Sequence, residues 1–234
     1  MSWQAHVKAH GPLVALADGL WQVTGTEGPL DRNMVVYRLP DGGLWLHSVV
    51  ALNGEGMRTL EGYGRPAVMV VPNGFHRIDA RVYKERYPEI RVLCPAAVRD
   101  RVSQVVAVDA TCEEALPSLG IGIHVPDGTK PGELAYELDV PGGRALVVAD
   151  LLFNLLEAPA GFKGFILEHI TASIGPLGTS RVFRLMVLQN RDAYCAWLRK
   201  MADLSDLRLL CVAHGDAVTA DVSDALRAAS GRVR

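Results

Sequence analysis

Apolar and polar positions alternate through residues 13–24, where Val14, Leu16, Leu20, Trp21 and Val23 flank Ala17-Asp18-Gly19. The pattern predicts two short strands about a turn. Residues 34–39 read as a strand, Pro40-Asp41-Gly42-Gly43 as a turn and residues 44–50 as the returning strand, so the first fifty residues form an antiparallel meander. The rhythm then changes. A short helix over 57–63 precedes Ala67-Val68-Met69-Val70-Val71, a continuous apolar run of the kind a strand buried on both faces requires. Helical spacing follows over 78–87, stopped by Pro88; then come a strand over 90–94, a helix opened by Pro95 and running to about 102, and a strand over 105–108. Strands alternating with helices imply a parallel section of sheet.

A second β-rich stretch covers 121–125, 132–139 and 144–148, the last two joined by Pro141-Gly142-Gly143. Residues 151–175 fit neither periodicity. A long helix is expected over 182–204, with Leu185, Leu188, Tyr194, Leu198 and Met201 on one stripe. A buried strand over 207–213 and a closing helix over 222–229 complete the chain, whose arginine-bearing end, 227–234, reads as frayed. Two β-rich stretches, each followed by helices and with no linker between them, predict an α/β protein of one domain, 1–234. Its two mixed sheets would pack face to face, with helices outside.

Composition narrows the function classes. The chain has 234 residues, 49% hydrophobic and 21% charged, with a net charge of -2, which describes a packed globular protein. No block of Lys and Arg forms a basic stripe, so nucleic acid is not expected as a partner. No apolar run reaches the ~20 residues of a membrane span, and Met1-Ser2-Trp3-Gln4-Ala5-His6 lacks the layout of a signal peptide. A cytoplasmic protein is therefore expected. Cys94, Cys112, Cys195 and Cys211 are widely spaced among apolar residues and read as buried free thiols.

Ligands of α/β sheets collect at the carboxyl ends of strands. Residues 72–79 follow the 67–71 run and bring His76 and Asp79. Asp150 follows the 144–148 strand, and His214 follows the 207–213 strand. Imidazole and carboxylate together suit zinc, iron or manganese. Each residue also has a plain structural role open to it. Asp79 and Asp150 are placed to cap the segments after them, and a histidine before glycine is often no more than a turn.

The segments themselves resemble the metallo-β-lactamase superfamily over most of the chain. Asn33-Met34-Val35-Val36-Tyr37 and Gly43-Leu44-Trp45-Leu46-His47-Ser48 are similar to its opening hairpin. Residues 68–73 are similar to the strand leading into its His-x-His-x-Asp-His loop, and Gly128-Thr129-Lys130-Pro131-Gly132-Glu133 to its His-Thr-Pro-Gly-His segment. Gly143-Arg144-Ala145-Leu146-Val147-Val148-Ala149-Asp150 resembles the strand ending in the bridging aspartate, and Val212-Ala213-His214-Gly215 the strand ending in the last histidine. The resemblance implies a four-layer αββα sandwich and a metal-dependent hydrolase.

Asp150 and His214 match the family's ligands by position. Asn73, Phe75, Arg77 and Ile78 stand where its loop carries His, His, Asp and His, and Gly128 or Asp127 stands where a histidine precedes Thr-Pro-Gly. The chain is similar in this respect to a bacterial branch of the superfamily with a degenerate metal-binding loop, Pro-Asn-x-x-His.

Two readings stay open. In the first, His76, Asp79, Asp150 and His214 hold one divalent ion (zinc, iron or manganese) and Asp150 and His214 serve catalysis. The reaction would be hydrolysis of a small-molecule ester, thioester, lactone or phosphoester. In the second, no metal binds and the chain is a binding or scaffold protein, its Asp150–His214 pair ordering the strand ends. A homodimer through exposed strand edges is a third option. His47, His124 and His169 carry no motif and read as packed histidines. Ser48 lacks a Gly-x-Ser-x-Gly setting. Gly120-Ile121-Gly122 lacks the third glycine of a dinucleotide loop. Arg181 and Arg184 are candidates for an anionic substrate, or surface groups.

Overall fold

The computed structural model describes residues 3–27, 30–157 and 174–233. His169 and most of the ambiguous 151–175 stretch lie outside the described residues. The chain divides into two compact units, Met1–Ile123 and His124–Arg234.

The first unit is built on a seven-stranded mixed sheet in chain order. Strands β1 (Val14–Ala17), β2 (Leu20–Glu27), β3 (Leu30–Arg38) and β4 (Gly43–His47) form the antiparallel meander. Helix α1 (Gly54–Tyr63) starts where the Asn53 side chain accepts the Gly56 N–H at 2.8 Å. Strand β5 (Arg65–Val70) then lies parallel to β4, and β6 (Arg91–Cys94) parallel to β5, with helix α2 (Ala80–Arg86) between them. Helix α3 (Arg99–Ser103) is preceded by a 3-10 turn over Ala96–Val98. Residues 105–108 do not form the expected strand. The chain folds back on itself there, with Val105 and Val106 N–H donating to Val102 O, and Val106 enters the core. Pairing with β6 begins only at β7 (Ala110–Thr111), and a Thr111/Glu114 capping box then opens α4 (Cys112–Ala115).

The second sheet has four strands in the order β11-β10-β9-β8: β8 (Gly122–His124), β9 (Ala135–Val140), β10 (Gly143–Val147) and β11 (Leu207–Cys211). Strand β10 is antiparallel to β9 and parallel to β11. The expected long helix is two: α5 (Arg181–Met186) and α6 (Arg191–Ala202). The break has a tertiary cause. The segment 128–130 lies against it, with Gly128 O accepting from Gln189 and Asn190 N–H and Lys130 N–H donating to Val187 O. Gly128 has φ 73°, and a Cβ there would stand 2.2 Å from Asn190 O, so only glycine permits the approach. Helix α7 (Val222–Arg232) continues well past Ala229, and Arg227 pairs with Asp203 at 2.8 Å, so the expected frayed end is ordered helix to Arg232.

These are two mixed sheets with helices, the content of an αββα sandwich. Each unit has its own apolar core. The first gathers Met34, Leu44, Leu46, Met69 and Tyr83; the second gathers Leu146, Tyr194, Trp197, Leu198 and Leu226. All four cysteines are free and buried, as expected. Among the described residues no helix is long and apolar enough to cross a membrane.

Candidate metal centre

In the second unit, β10 and β11 run parallel with Val147 opposite Cys211, and Val148 N–H donates to Cys211 O at 2.9 Å. Asp150 and His214 each lie three residues beyond that last paired position. Equal offsets on neighbouring parallel strands deliver two side chains to one place, and His214 Nε2 stands 3.1 Å from Asp150 Oδ1.

Both residues are held from behind. The Glu133 carboxylate accepts from three successive backbone N–H groups, those of Ala149 (2.9 Å), Asp150 (3.0 Å) and Leu151 (3.1 Å). Those amides would otherwise end the strand without partners. The His214 ring stacks on Phe153, centroids 5.1 Å apart and planes within 9°. Residues 153–154 are zipped to the His214 segment by Asn154 N–H to His214 O (3.1 Å), Asp216 N–H to Asn154 O (3.0 Å) and Asn154 Nδ2 to Asp216 O (2.8 Å). Gly215 sits between them with φ 94°; a Cβ there would meet Asn154 O at 2.1 Å.

In the first unit, β4 and β5 are likewise parallel neighbours, and Ser48 N–H donates to Val70 O at 3.1 Å just past their ends. The loop after β5 is folded by Asn73, whose Oδ1 accepts from Phe75 N–H (2.8 Å) and His76 N–H (3.1 Å). This turn leaves Phe75 and Ile78 exposed and buries His76. His76 Nδ1 is 2.7 Å from Ser48 Oγ. Arg77 is turned away, its guanidinium on Arg101 O (2.6 Å) and Gln104 Oε1 (3.2 Å).

Asp79 faces other partners. Its Oδ2 accepts from Arg32 (3.0 Å) and from Ala51 N–H (3.1 Å), and its Oδ1 lies 3.4 Å from His6 Nδ1. Asp79 and Arg32 are both buried. Asp79 precedes α2 but makes no side-chain cap to it. It serves the irregular segment 48–52, which is buried without regular structure and needs side chains to satisfy its backbone. Arg32 donates to Val49 O (2.9 Å), Tyr83 Oη to Val50 O (2.9 Å), and Trp3 Nε1 to Leu52 O (2.8 Å). The i,i+3 spacing of His76 and Asp79 thus brings two side chains to two different tasks.

Two residues of the site, Ser48 and Glu133, carry no sign of their roles in the sequence. No local pattern marks either, because each acts on a residue 28 or 17 positions away. Of the unassigned histidines, His47 is buried with its ring 5.5 Å from that of Trp45, and His124 pairs with Glu137 at 2.7 Å.

No protein-family model and no curated protein matches the chain. Solved structures do. The chain is similar to the TMB-1 structure at 9% identity, covering 97% of this chain and 99% of that one with a TM-score of 0.63. It is similar to the metallo-β-lactamase DIM-1 at 11% identity, 97% and 100% coverage and a TM-score of 0.63. It is similar to the metallo-β-lactamase FIM-1 from Pseudomonas aeruginosa in its mono-zinc form at 10% identity, 95% and 96% coverage and a TM-score of 0.61. The fold is therefore that of the metallo-β-lactamases, as the sequence resemblance implied.

Proposed function

We propose that His76, Asp150 and His214 hold one divalent metal ion and that the protein is a metal-dependent hydrolase with a reduced, single-ion site. The observation that carries the reading is the pairing of His214 Nε2 with Asp150 Oδ1, 3.1 Å apart at the ends of neighbouring parallel strands, to which His76 is the proposed third ligand. The donor set fits. Two imidazoles and a carboxylate suit zinc, iron or manganese, and three protein ligands with one open position is the usual count of a catalytic zinc. The 3.1 Å between His214 Nε2 and Asp150 Oδ1 also fits, since two ligands at ~2.0–2.1 Å on a tetrahedral ion stand ~3.3 Å apart.

Asp79 is left out of this set, because its carboxylate is already committed to Arg32 and Ala51. The reading requires the two units to work as one domain, 1–234. When bound, such an ion polarises a carbonyl or phosphoryl oxygen and acidifies water. The chain's own part is to present three ligands on fixed supports. Glu133 sets the Asp150 backbone, Phe153 the His214 ring plane and Asn73 the turn that buries His76. The substrate class is a small-molecule ester, thioester, lactone or phosphoester.

Zinc titration of chelator-treated protein, followed by calorimetry, tests the site. One equivalent should bind to the wild type, and Asp150→Ala and His214→Ala should each lose it. A panel of the four ester classes then tests hydrolysis by the zinc-loaded protein. If the wild type takes up no zinc, cobalt or manganese and its thermal midpoint ignores chelator, the scaffold reading prevails.

A further inference from the structure

We infer that Ser48 is a positioning residue for His76: its hydroxyl oxygen accepts the Nδ1 hydrogen and so fixes the tautomer that offers Nε2 to a metal. The inference rests on the metal reading for its purpose, though not for its geometry. A histidine coordinates through a ring nitrogen that carries no proton, and the hydrogen bond made by the other nitrogen decides which one that is. His76 Nδ1 lies 2.7 Å from Ser48 Oγ, so Nε2 is the nitrogen that a metal would take. For Nε2 to be bare, Nδ1 must carry the hydrogen and the serine oxygen must receive it.

The backbone at Ser48 gives an independent sign that this contact is built. Ser48 has φ 58°, one of three non-glycine residues with positive φ among the described residues, and it is fully buried. A non-glycine residue in the left-handed region costs about 1–3 kcal/mol and persists where its surroundings over-determine it. Here they do. Val70 O takes the Ser48 N–H, and the four residues after Ser48 are each pinned through the backbone by a side chain: Arg32, Tyr83, Asp79 and Trp3 in turn. Glycine would adopt this conformation without strain. A serine there keeps a hydroxyl aimed at His76 in spite of the backbone preference.

That mismatch supplies the test. Ser48→Gly removes the hydroxyl and relaxes the backbone; Ser48→Ala removes the hydroxyl and keeps the strain. In metal-free protein, 15N spectra of the histidine ring should show His76 protonated at Nδ1 in the wild type and shifted toward the Nε2-protonated form in both variants. Zinc affinity should fall about 10- to 100-fold in both, the usual cost of losing an outer-shell partner, although Ser48→Gly is the more stable of the two. Affinity that instead follows stability, with Ser48→Gly binding as the wild type does, would mean a purely structural serine and overturn the inference. So would a wild-type His76 carrying its hydrogen on Nε2. A wild type that binds no zinc removes the metal site proposed above, and the assignment of Ser48 is then decided by the tautomer alone.

Discussion

Asp79 and Asp150 look alike in the sequence, each a carboxylate just past a strong apolar strand, yet they do different work. Asp79 lies between a guanidinium and a backbone amide. Arg32 and Ala51 N–H occupy one of its oxygens, and the segment 48–52 depends on it for its shape. Asp150 has its backbone held by Glu133, and its side chain meets His214. A carboxylate needed to satisfy its own scaffold has little left for a ligand. One whose backbone is held by a neighbouring carboxylate is not needed for that task.

The contrast has measurable consequences. The largest is expected at Asp79. Asp79→Ala strands the buried Arg32 guanidinium, and loss of one partner of a buried pair costs about 3–5 kcal/mol. Urea unfolding should show this loss, whereas Asp150→Ala should cost well under half as much, since its side chain is 26% exposed. Equal losses in the two variants would erase the distinction drawn above. Next is Gly215→Ala. A methyl group 2.1 Å from Asn154 O in a left-handed residue should cost about 3 kcal/mol and loosen the stack of Phe153 on His214. The effect should appear in urea midpoints and in weaker zinc binding.

Glu133→Gln is milder. It keeps one acceptor oxygen for three amides, so a loss of about 1–2 kcal/mol is expected. A fall in zinc affinity should accompany it, if the clamp sets Asp150.

Alkaline pH gives the broadest but smallest signal. Burial pushes Cys94 up to about 11 and Cys211 to about 12 from an ordinary 9.0, and Tyr87 to about 12 from 10.0. Burial also raises Tyr83 and Tyr194. Above about pH 9 the unfolded chain loses these protons while the native chain retains them. Stability from these groups is thus complete below pH 9 and falls as pH rises toward 11–12. The thermal midpoint should hold from pH 7 to 8 and drop by pH 10, and the buried thiols should stay unreactive to a thiol reagent at pH 8.

Much of this was legible in the chain. The meander, the parallel run that follows it and the strands carrying Asp150 and His214 all announce themselves through apolar periodicity, because their registers are fixed by which face is buried. The pair itself was legible for the same reason. Two parallel strands paired at Val147 and Cys211 place residues three further on side by side. Other features were not. Residues 105–108 have the composition of a strand but turn back, and only Val106 is buried in the core. The stripe of 182–204 is helical in pattern but is cut at 187–190 by the arrival of Gly128. The helix break rests on a partner from elsewhere in the chain, the turn on a local competition that Val102 O wins.

By itself, then, the sequence determined most of the strands and helices, the fold class, the burial of the cysteines and the strand-end position of Asp150 and His214. These follow from local periodicity and from the identity of single residues. Tertiary structure alone decided that Asp79 supports a loop, that Glu133 holds three amides and that Ser48 meets His76. A hydrogen bond between residues tens of positions apart leaves no period in the chain, and its geometry exists only once both backbones are in place.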